Sequence, residues 1–255
     1  MEVDAAARQV LERGFTSLPG LLPPARVDSI RAAMRARWAR HGSPPAYARD
    51  DVRLADDAEI TPVGFTVTGL LDTIPEAAEL LLEPALRSLF GALLGEGFEL
   101  ELVSGILTDH TRPFFFWHSH VGGIDGADYR RRPLPRFERC ERIACTFYLT
   151  PLDEAHGAML LSPRAIADPT EAPHEARREP WPDAVRLHLP AGSAVVLDQA
   201  TWHAVTPMAR EGVRVFIGSF VRRAGLAPPR RVDAAVARAR AADPRLARAY
   251  AGALP

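Results

Sequence analysis

Apolar residues recur at helical spacing through the first third of the chain. Val27, Ile30, Met34 and Trp38 stand three or four positions apart and follow Pro23 and Pro24, which predicts a helix opening at the prolines. Leu86, Leu89, Phe90, Leu93 and Leu94 form a second stripe, closed by Gly95 and set off from the helical run before it by Pro84. The opening stretch MEVDAAARQVLERGF is also amphipathic. Between the stripes, residues 42–62 are mixed, polar and proline-containing, and predict a loop.

The period changes near residue 98. Phe98, Leu100 and Leu102 alternate with Glu99 and Glu101, as in a half-buried strand. Further strands are expected at 142–150, 158–161, 185–189, 193–197, 201–206 and 213–221, with Pro, Gly, Asp and Arg in the gaps. Segments 121–138 and 163–184 predict long loops, which in compact domains often serve as lids or substrate walls. The tail from residue 230 is Arg/Ala-rich and helical, with Asp243-Pro244 a second helix start. Helices followed by antiparallel-type strands define an α+β class, and short strands with intervening turns point to a jelly-roll or barrel. The expected organisation is one domain over 1–255: a helical flank (1–97), a jelly-roll core (98–223) and a helical tail (224–255).

Composition narrows the function. The chain of 255 residues is 47% apolar and 25% charged, enough for a sizeable core without disulfide staples. A net charge of −1 gives no basic excess for nucleic acid or an anionic membrane surface. The Arg-rich tail therefore reads as a solvated helix. No run approaches the roughly 18 apolar residues of a spanning helix, and the acidic N-terminus is no secretory signal, so the expected location is cytoplasmic. All 31 cationic side chains are Arg. A Lys Schiff base, a Lys-anchored pyridoxal phosphate and a P-loop Lys are thereby excluded. Cys140 and Cys145, the only cysteines, lack Cys-x-x-Cys spacing and read as reduced.

Of eight histidines, His41, His110, His156, His174 and His188 are scattered and read as polar surface or loop residues. His118 and His120 stand in FFFWHSHVGG at the end of an apolar run. In an extended segment, residues i and i+2 share a face, so the two imidazoles project side by side in a chelating geometry. The block AGSAVVLDQATWHAVTPMAREGVRVFIGSFV reads as strand, link, strand, turn, strand, with His203 on the middle strand and Arg214 on the next. If PMAREG closes a hairpin in which His203 faces Phe216, then His203 and Arg214 are diagonal neighbours, and a one-residue slip separates them. An arginine in Val213-Arg214-Val215-Phe216-Ile217 is costly unless paired with an anion, because it cannot shed its charge. A small dicarboxylate matches its fork, as does a structural carboxylate such as Asp198.

These residues reach a family. The chain, over roughly residues 8–223, resembles the phytanoyl-CoA dioxygenase family of Fe(II)/2-oxoglutarate oxygenases. ERGFTSLPGLLPPARVDSIRAAM is similar to the family's opening of Gly-Phe, short strand, Pro-containing link and helix. WHSH at 117–120 falls where the family has Trp-His-x-Asp, and RIACTFYLTPLDEAHGAMLLSPRA resembles its next strand pair. AGSAVVLDQATWHAV followed by Arg214 resembles its distal His and 2-oxoglutarate Arg. The resemblance implies a double-stranded β-helix with flanking helices. It also implies that His118 and His203 hold Fe(II), that Arg214 binds the distal carboxylate of 2-oxoglutarate, and that O2 oxidises a small-molecule substrate.

One departure stands out: the family's third ligand is Asp, and this chain has His120. Three readings are open. His120 ligates directly, Asp125 folds back past Gly122-Gly123, or water or halide fills the position as in halogenase members of the superfamily. The first is preferred because the same-face geometry comes with the strand. Tyr148 and Thr146 lie on a strand expected to line the cavity, where either hydroxyl is a candidate to assist 2-oxoglutarate. Trp117 and Trp202, within an aromatic cluster that includes Phe114, Phe115 and Phe116, are candidate substrate contacts or core. Arg130 and its neighbours Arg131 and Arg132 are candidates to meet an anionic substrate, or a solvated run. Two other functions compete. One is a cupin-type metal-dependent dioxygenase or isomerase that does not use 2-oxoglutarate. The other is a non-catalytic ligand-binding relative. A monomer or small homo-oligomer is expected.

Overall fold

The computed structural model describes residues 2–126 and 135–250. Helix α1 (Val3–Arg13) ends at Gly14, whose positive φ turns the chain into strand β1 (Phe15–Leu18). Helix α2 (Pro24–Ala39) opens with Pro24 at its first turn and buries Val27, Ile30 and Met34, the predicted stripe. Residues 42–62 depart from the expected loop. They contain β2 (Val52–Ala55) and β3 (Ala58–Ile60), which continue through β4 (Phe65–Val67) as an antiparallel meander. Two short helices, α3 (Leu70–Thr73) and α4 (Ala78–Leu81), lead to α5 (Pro84–Leu94), which buries the second stripe.

The remaining strands are β5 (Glu99–Asp109), β6 (Phe115–His118), β7 (Arg142–Tyr148), β8 (Met159–Leu161), β9 (Val185–Leu187), β10 (Ser193–Asp198), β11 (His203–Val205) and β12 (Val213–Arg222). The chain ends in α6 (Ala234–Ala242) and α7 (Pro244–Ala249), whose first N–H groups are capped by the carboxylates of Asp233 and Asp243. Cys140 and Cys145 are free and buried. No helix among the described residues is long and apolar enough to cross a membrane.

The strands form two antiparallel sheets. The larger has the order β1-β10-β7-β12-β5-β4-β3-β2, and the smaller β6-β11-β8-β9. Strand alternation sorts the side chains into three layers. Val215, Ile217 and Val221 of β12, with Ile143, Cys145 and Phe147 of β7, face the helices in the main core. Tyr148, Phe216 and Phe220 face the other way, meeting Met159 and Leu161 of the smaller sheet. Trp117, Leu160 and Ala204 pack on that sheet's outer side.

Two expectations are corrected here. The segments around His203 and Arg214 do not form a hairpin: β11 pairs with β6 and β8, whereas β12 pairs with β5 and β7. Both edges of the short β11 are taken within the smaller sheet, so the PMAREG turn crosses between sheets and the expected register does not arise. Nor do Glu99 and Glu101 face solvent; both are buried. Glu99 pairs with Arg222, and Glu101 pairs with Arg142 at 3.0 Å. A bulge in the β5–β12 ladder lies between these registers.

Candidate metal centre

The geometry of the site begins with one cross-strand pair. His203 on β11 lies directly opposite His118 at the end of β6. Their ring centroids are 4.0 Å apart. Each ring is oriented by a carbonyl that can only accept: Phe116 O lies 2.9 Å from His118 Nδ1, and Thr201 O lies 3.1 Å from His203 Nδ1. Both Nδ1 atoms therefore carry the proton, leaving Nε2 as the ligating atom.

His120 arrives differently from the sequence expectation. β6 ends at His118, so His120 is not on the same strand. Its N–H donates to Gln199 O at 2.8 Å, and its carbonyl accepts from Gly123 N at 2.8 Å. Gln199 Oε1 also accepts from Gly122 N. Gly122 and Gly123 both have positive φ, which makes this tight return possible. The turn sets the His120 ring 4.7 Å from His203 and 5.3 Å from His118. One nitrogen from each of the three imidazoles lies within 4.8 Å of the others, a spacing that suits a common metal ion.

Burial keeps His203 ready for a cation. His203 is buried, and desolvation lowers its pKa to about 4, outweighing the Thr201 hydrogen bond. It is therefore neutral, as a metal ligand must be, over the physiological range. Asp125 does not fold back. Its carboxylate accepts from Arg230 N at 2.7 Å and Arg231 N at 3.3 Å, and it is not among the clustered ligands. Strong backbone donors from the C-terminal segment hold it elsewhere.

Arg214 lies in the interior between the sheets, 1% exposed. Its Nη1 donates to Gly157 O at 2.9 Å and His156 O at 3.3 Å, while its buried Nε has no partner among the described residues. Desolvation lowers its pKa to about 10, so it stays charged. Asp198 is not its counterion. That carboxylate accepts from Arg164 at 3.2 Å and from Ala200 N at 2.9 Å. Across the β5–β12 ladder, Thr108 opposes Arg214, and its buried hydroxyl also has no partner among the described residues. Two orphaned buried polar groups on one strand pair, one cationic, fit a carboxylate that accepts from both. Gly157 is tied to this arrangement: at φ +85°, a Cβ there would meet Thr206 O at 2.5 Å and Arg214 Nη1 at 3.1 Å.

Tyr148 faces the same interior, donating to Met159 Sδ at 3.2 Å. Burial raises its pKa to about 12 despite the nearby Arg214 and Arg112. Thr146 is on the same face of β7, opposite Gly218, and half-buried. Trp117 and Trp202 do not reach this interior. Alternation turns Trp117 to the outer side of the smaller sheet, stacked on Trp181 at 4.1 Å, and Trp202 joins them at 5.9 Å from Trp181. Their indole N–H groups donate to Arg178 O and Thr170 O, pinning the 163–184 loop. These tryptophans pack with Trp181 on the outer side of the smaller sheet. Arg130, with Arg131 and Arg132, lies outside the described residues. His156 is buried and hydrogen-bonded to Asp153 rather than a surface residue. Sequence reasoning missed Thr108 and Arg112. Thr108 reads as one more residue of an apolar strand, and Arg112 as part of a polar turn.

No protein-family model matches the chain, and no curated protein matches it significantly. Solved structures do. SnoK, a non-heme alpha ketoglutarate dependent carbocyclase from nogalamycin biosynthesis, is 20% identical with a TM-score of 0.62, covering 86% of this chain and 83% of that one. The epimerase SnoN, solved with Fe3+, alpha ketoglutarate and nogalamycin RO, is 15% identical with a TM-score of 0.62, covering 91% and 94%. HygX from Streptomyces hygroscopicus, solved with nickel, 2-oxoglutarate and hygromycin B, is 14% identical with a TM-score of 0.61, covering 88% of each chain. At these identities the likeness is one of fold.

Proposed function

We propose that this protein is a non-haem Fe(II)/2-oxoglutarate-dependent oxygenase acting on a small molecule. The observation that carries the reading is the joint presence, between two antiparallel sheets, of three convergent imidazoles and a buried arginine without a carboxylate partner among the described residues. The two sheets are read as the halves of a double-stranded β-helix. Enzymes of the same fold have been solved with iron or nickel and 2-oxoglutarate, which supports this choice of metal and cosubstrate. The motifs around His118, His203 and Arg214 support the finer assignment to the phytanoyl-CoA dioxygenase family.

His118, His120 and His203 would hold the metal, and Arg214 with Thr108 the distal carboxylate of the keto acid. When bound, iron and 2-oxoglutarate supply O2-dependent decarboxylation to succinate and CO2, coupled to oxidation of the substrate. The chain's own residues prepare the site for this. The Phe116 and Thr201 carbonyls fix the tautomers and directions of two ligands. Gln199 fixes the turn that delivers the third. Phe220, 5.0 Å from the His120 ring, and Phe216, beneath the Arg214 guanidinium, give both places an apolar wall. An all-histidine set is neutral, so the metal keeps both positive charges for an anionic cosubstrate. Tyr148 remains protonated, so its hydroxyl can donate a hydrogen bond and does not act as a base. The solved relatives include a carbocyclase and an epimerase, so hydroxylation is one of several oxidative outcomes this site supports.

Arg214 also separates this reading from a cupin-type enzyme without 2-oxoglutarate, which has no use for a buried cation without a carboxylate partner. Metal-dependent binding of 2-oxoglutarate under anaerobic conditions, followed by O2 uptake with stoichiometric succinate, tests the proposal. Metal binding without 2-oxoglutarate binding would leave the cupin reading, and neither would leave a ligand-binding relative.

A further inference from the structure

A second arginine shares the interior of Arg214. Arg112 lies just past β5, is 3% exposed, and has no carboxylate at ion-pair distance among the described residues. Its Nη1 donates to Val63 O at 3.2 Å, and its guanidinium sits 5.6 Å over the Phe115 ring. Phe115 in turn packs 4.6 Å from the His118 ring, and Arg112 follows by four residues Thr108, the cross-strand partner of Arg214. Burial, and after it the positive charge of Arg214, drive the pKa of Arg112 well down. The neighbouring carboxylate, Asp109, is tied to backbone and hydroxyl donors: Oδ2 accepts from Ala46 N at 2.9 Å, and Oδ1 from Thr111 N at 3.0 Å and from the Thr111 hydroxyl. It offsets one of the two positive charges from a distance and pairs directly with neither.

Two buried guanidiniums that repel one another are unfavourable by themselves and favourable around an anion. One carboxylate can accept hydrogen bonds from two guanidiniums and a hydroxyl, having about four lone-pair positions. Together with Asp109 it brings the local charge to zero. We propose that Arg112 and Arg214 grip the same carboxylate, the distal end of the keto acid, making Arg112 a second determinant of cosubstrate specificity. The proposal rests on the oxygenase reading and deepens it.

The test is anaerobic calorimetry of the Fe(II)-loaded protein with 2-oxoglutarate and with 2-oxovalerate, which lacks the distal carboxylate. Arg112→Gln should weaken 2-oxoglutarate about ten- to hundredfold, the range for a hydrogen bond to a charged group. It should leave 2-oxovalerate unchanged. Arg112→Lys, which keeps the charge for folding but loses the planar fork, should give a smaller loss confined to 2-oxoglutarate. Unchanged 2-oxoglutarate affinity in Arg112→Gln or Arg112→Lys, or an equal loss for both acids, would overturn the clamp. If Arg214→Gln still weakens 2-oxoglutarate selectively, the oxygenase reading survives that failure. If wild-type protein does not distinguish the two acids, the reading of Arg214 fails as well.

Discussion

His203 offers a quantitative handle on the site before any metal is added. Its folded pKa is about 4, against 6.5 for an ordinary imidazole, because burial penalises the charged ring. Between those values the unfolded chain binds a proton that the folded protein refuses. Stability contributed by this group is complete above about pH 6.5 and falls as the pH drops towards 4. At pH 5 the loss comes to about 2 kcal/mol, since each pH unit below the unfolded pKa costs about 1.4 kcal/mol until the folded ring itself begins to take up a proton. His203→Gln removes the titrating group. Urea unfolding of metal-free wild type and His203→Gln, measured from pH 7.5 to pH 5, should give curves that converge: wild type loses about 2 kcal/mol more than the variant over that interval. Parallel curves would mean that His203 is not held neutral by burial, and the argument that it is poised for metal would fail.

Other substitutions separate the parts of the site. His120→Ala should lower Fe(II) affinity by about tenfold or more, while Asp125→Ala should leave it within a few-fold, as equilibrium dialysis would show; the reverse ranking would restore the carboxylate model. Arg214→Lys should weaken 2-oxoglutarate by roughly ten- to hundredfold with Fe(II) affinity intact, since the ammonium cannot reproduce the fork. Trp117→Ala should cost about 3–5 kcal/mol of stability by opening a cavity against Trp181, yet leave 2-oxoglutarate affinity of the folded protein unchanged. A selective loss of ligand affinity would return Trp117 to the site.

What can be read from the chain depends on how local the signal is. The stripes of α2 and α5 are local, and so are Asp243-Pro244 and the apolar runs of β7, β10 and β12. His118 and His120 are visible because their spacing is short, although the turn that presents His120 depends on Gln199, far along the chain. Pairings between distant residues leave no such trace. Arg222 and Arg142 neutralise Glu99 and Glu101 from other strands, so an alternating pattern that looks half-exposed is buried on both faces. A strand, a tight turn and a strand look like a hairpin whether or not the turn crosses between sheets, which is why the pattern around His203 and Arg214 suggests a pairing of β11 with β12 that the fold does not make. Residues 42–62 are short of apolar side chains because β2 lies at an exposed sheet edge. Trp117 and Trp202 are ambiguous for a simpler reason: an aromatic residue beside a ligand reads the same whichever face it turns to.

The central claim is that three histidines and Arg214 hold one metal and one dicarboxylate keto acid between the two sheets. A crystal structure of the protein prepared anaerobically with Fe(II) and 2-oxoglutarate tests it directly. The account predicts iron bound by nitrogens of His118, His120 and His203, with the distal carboxylate of 2-oxoglutarate on Arg214. Iron bound by Asp125, or 2-oxoglutarate bound away from Arg214, would contradict it.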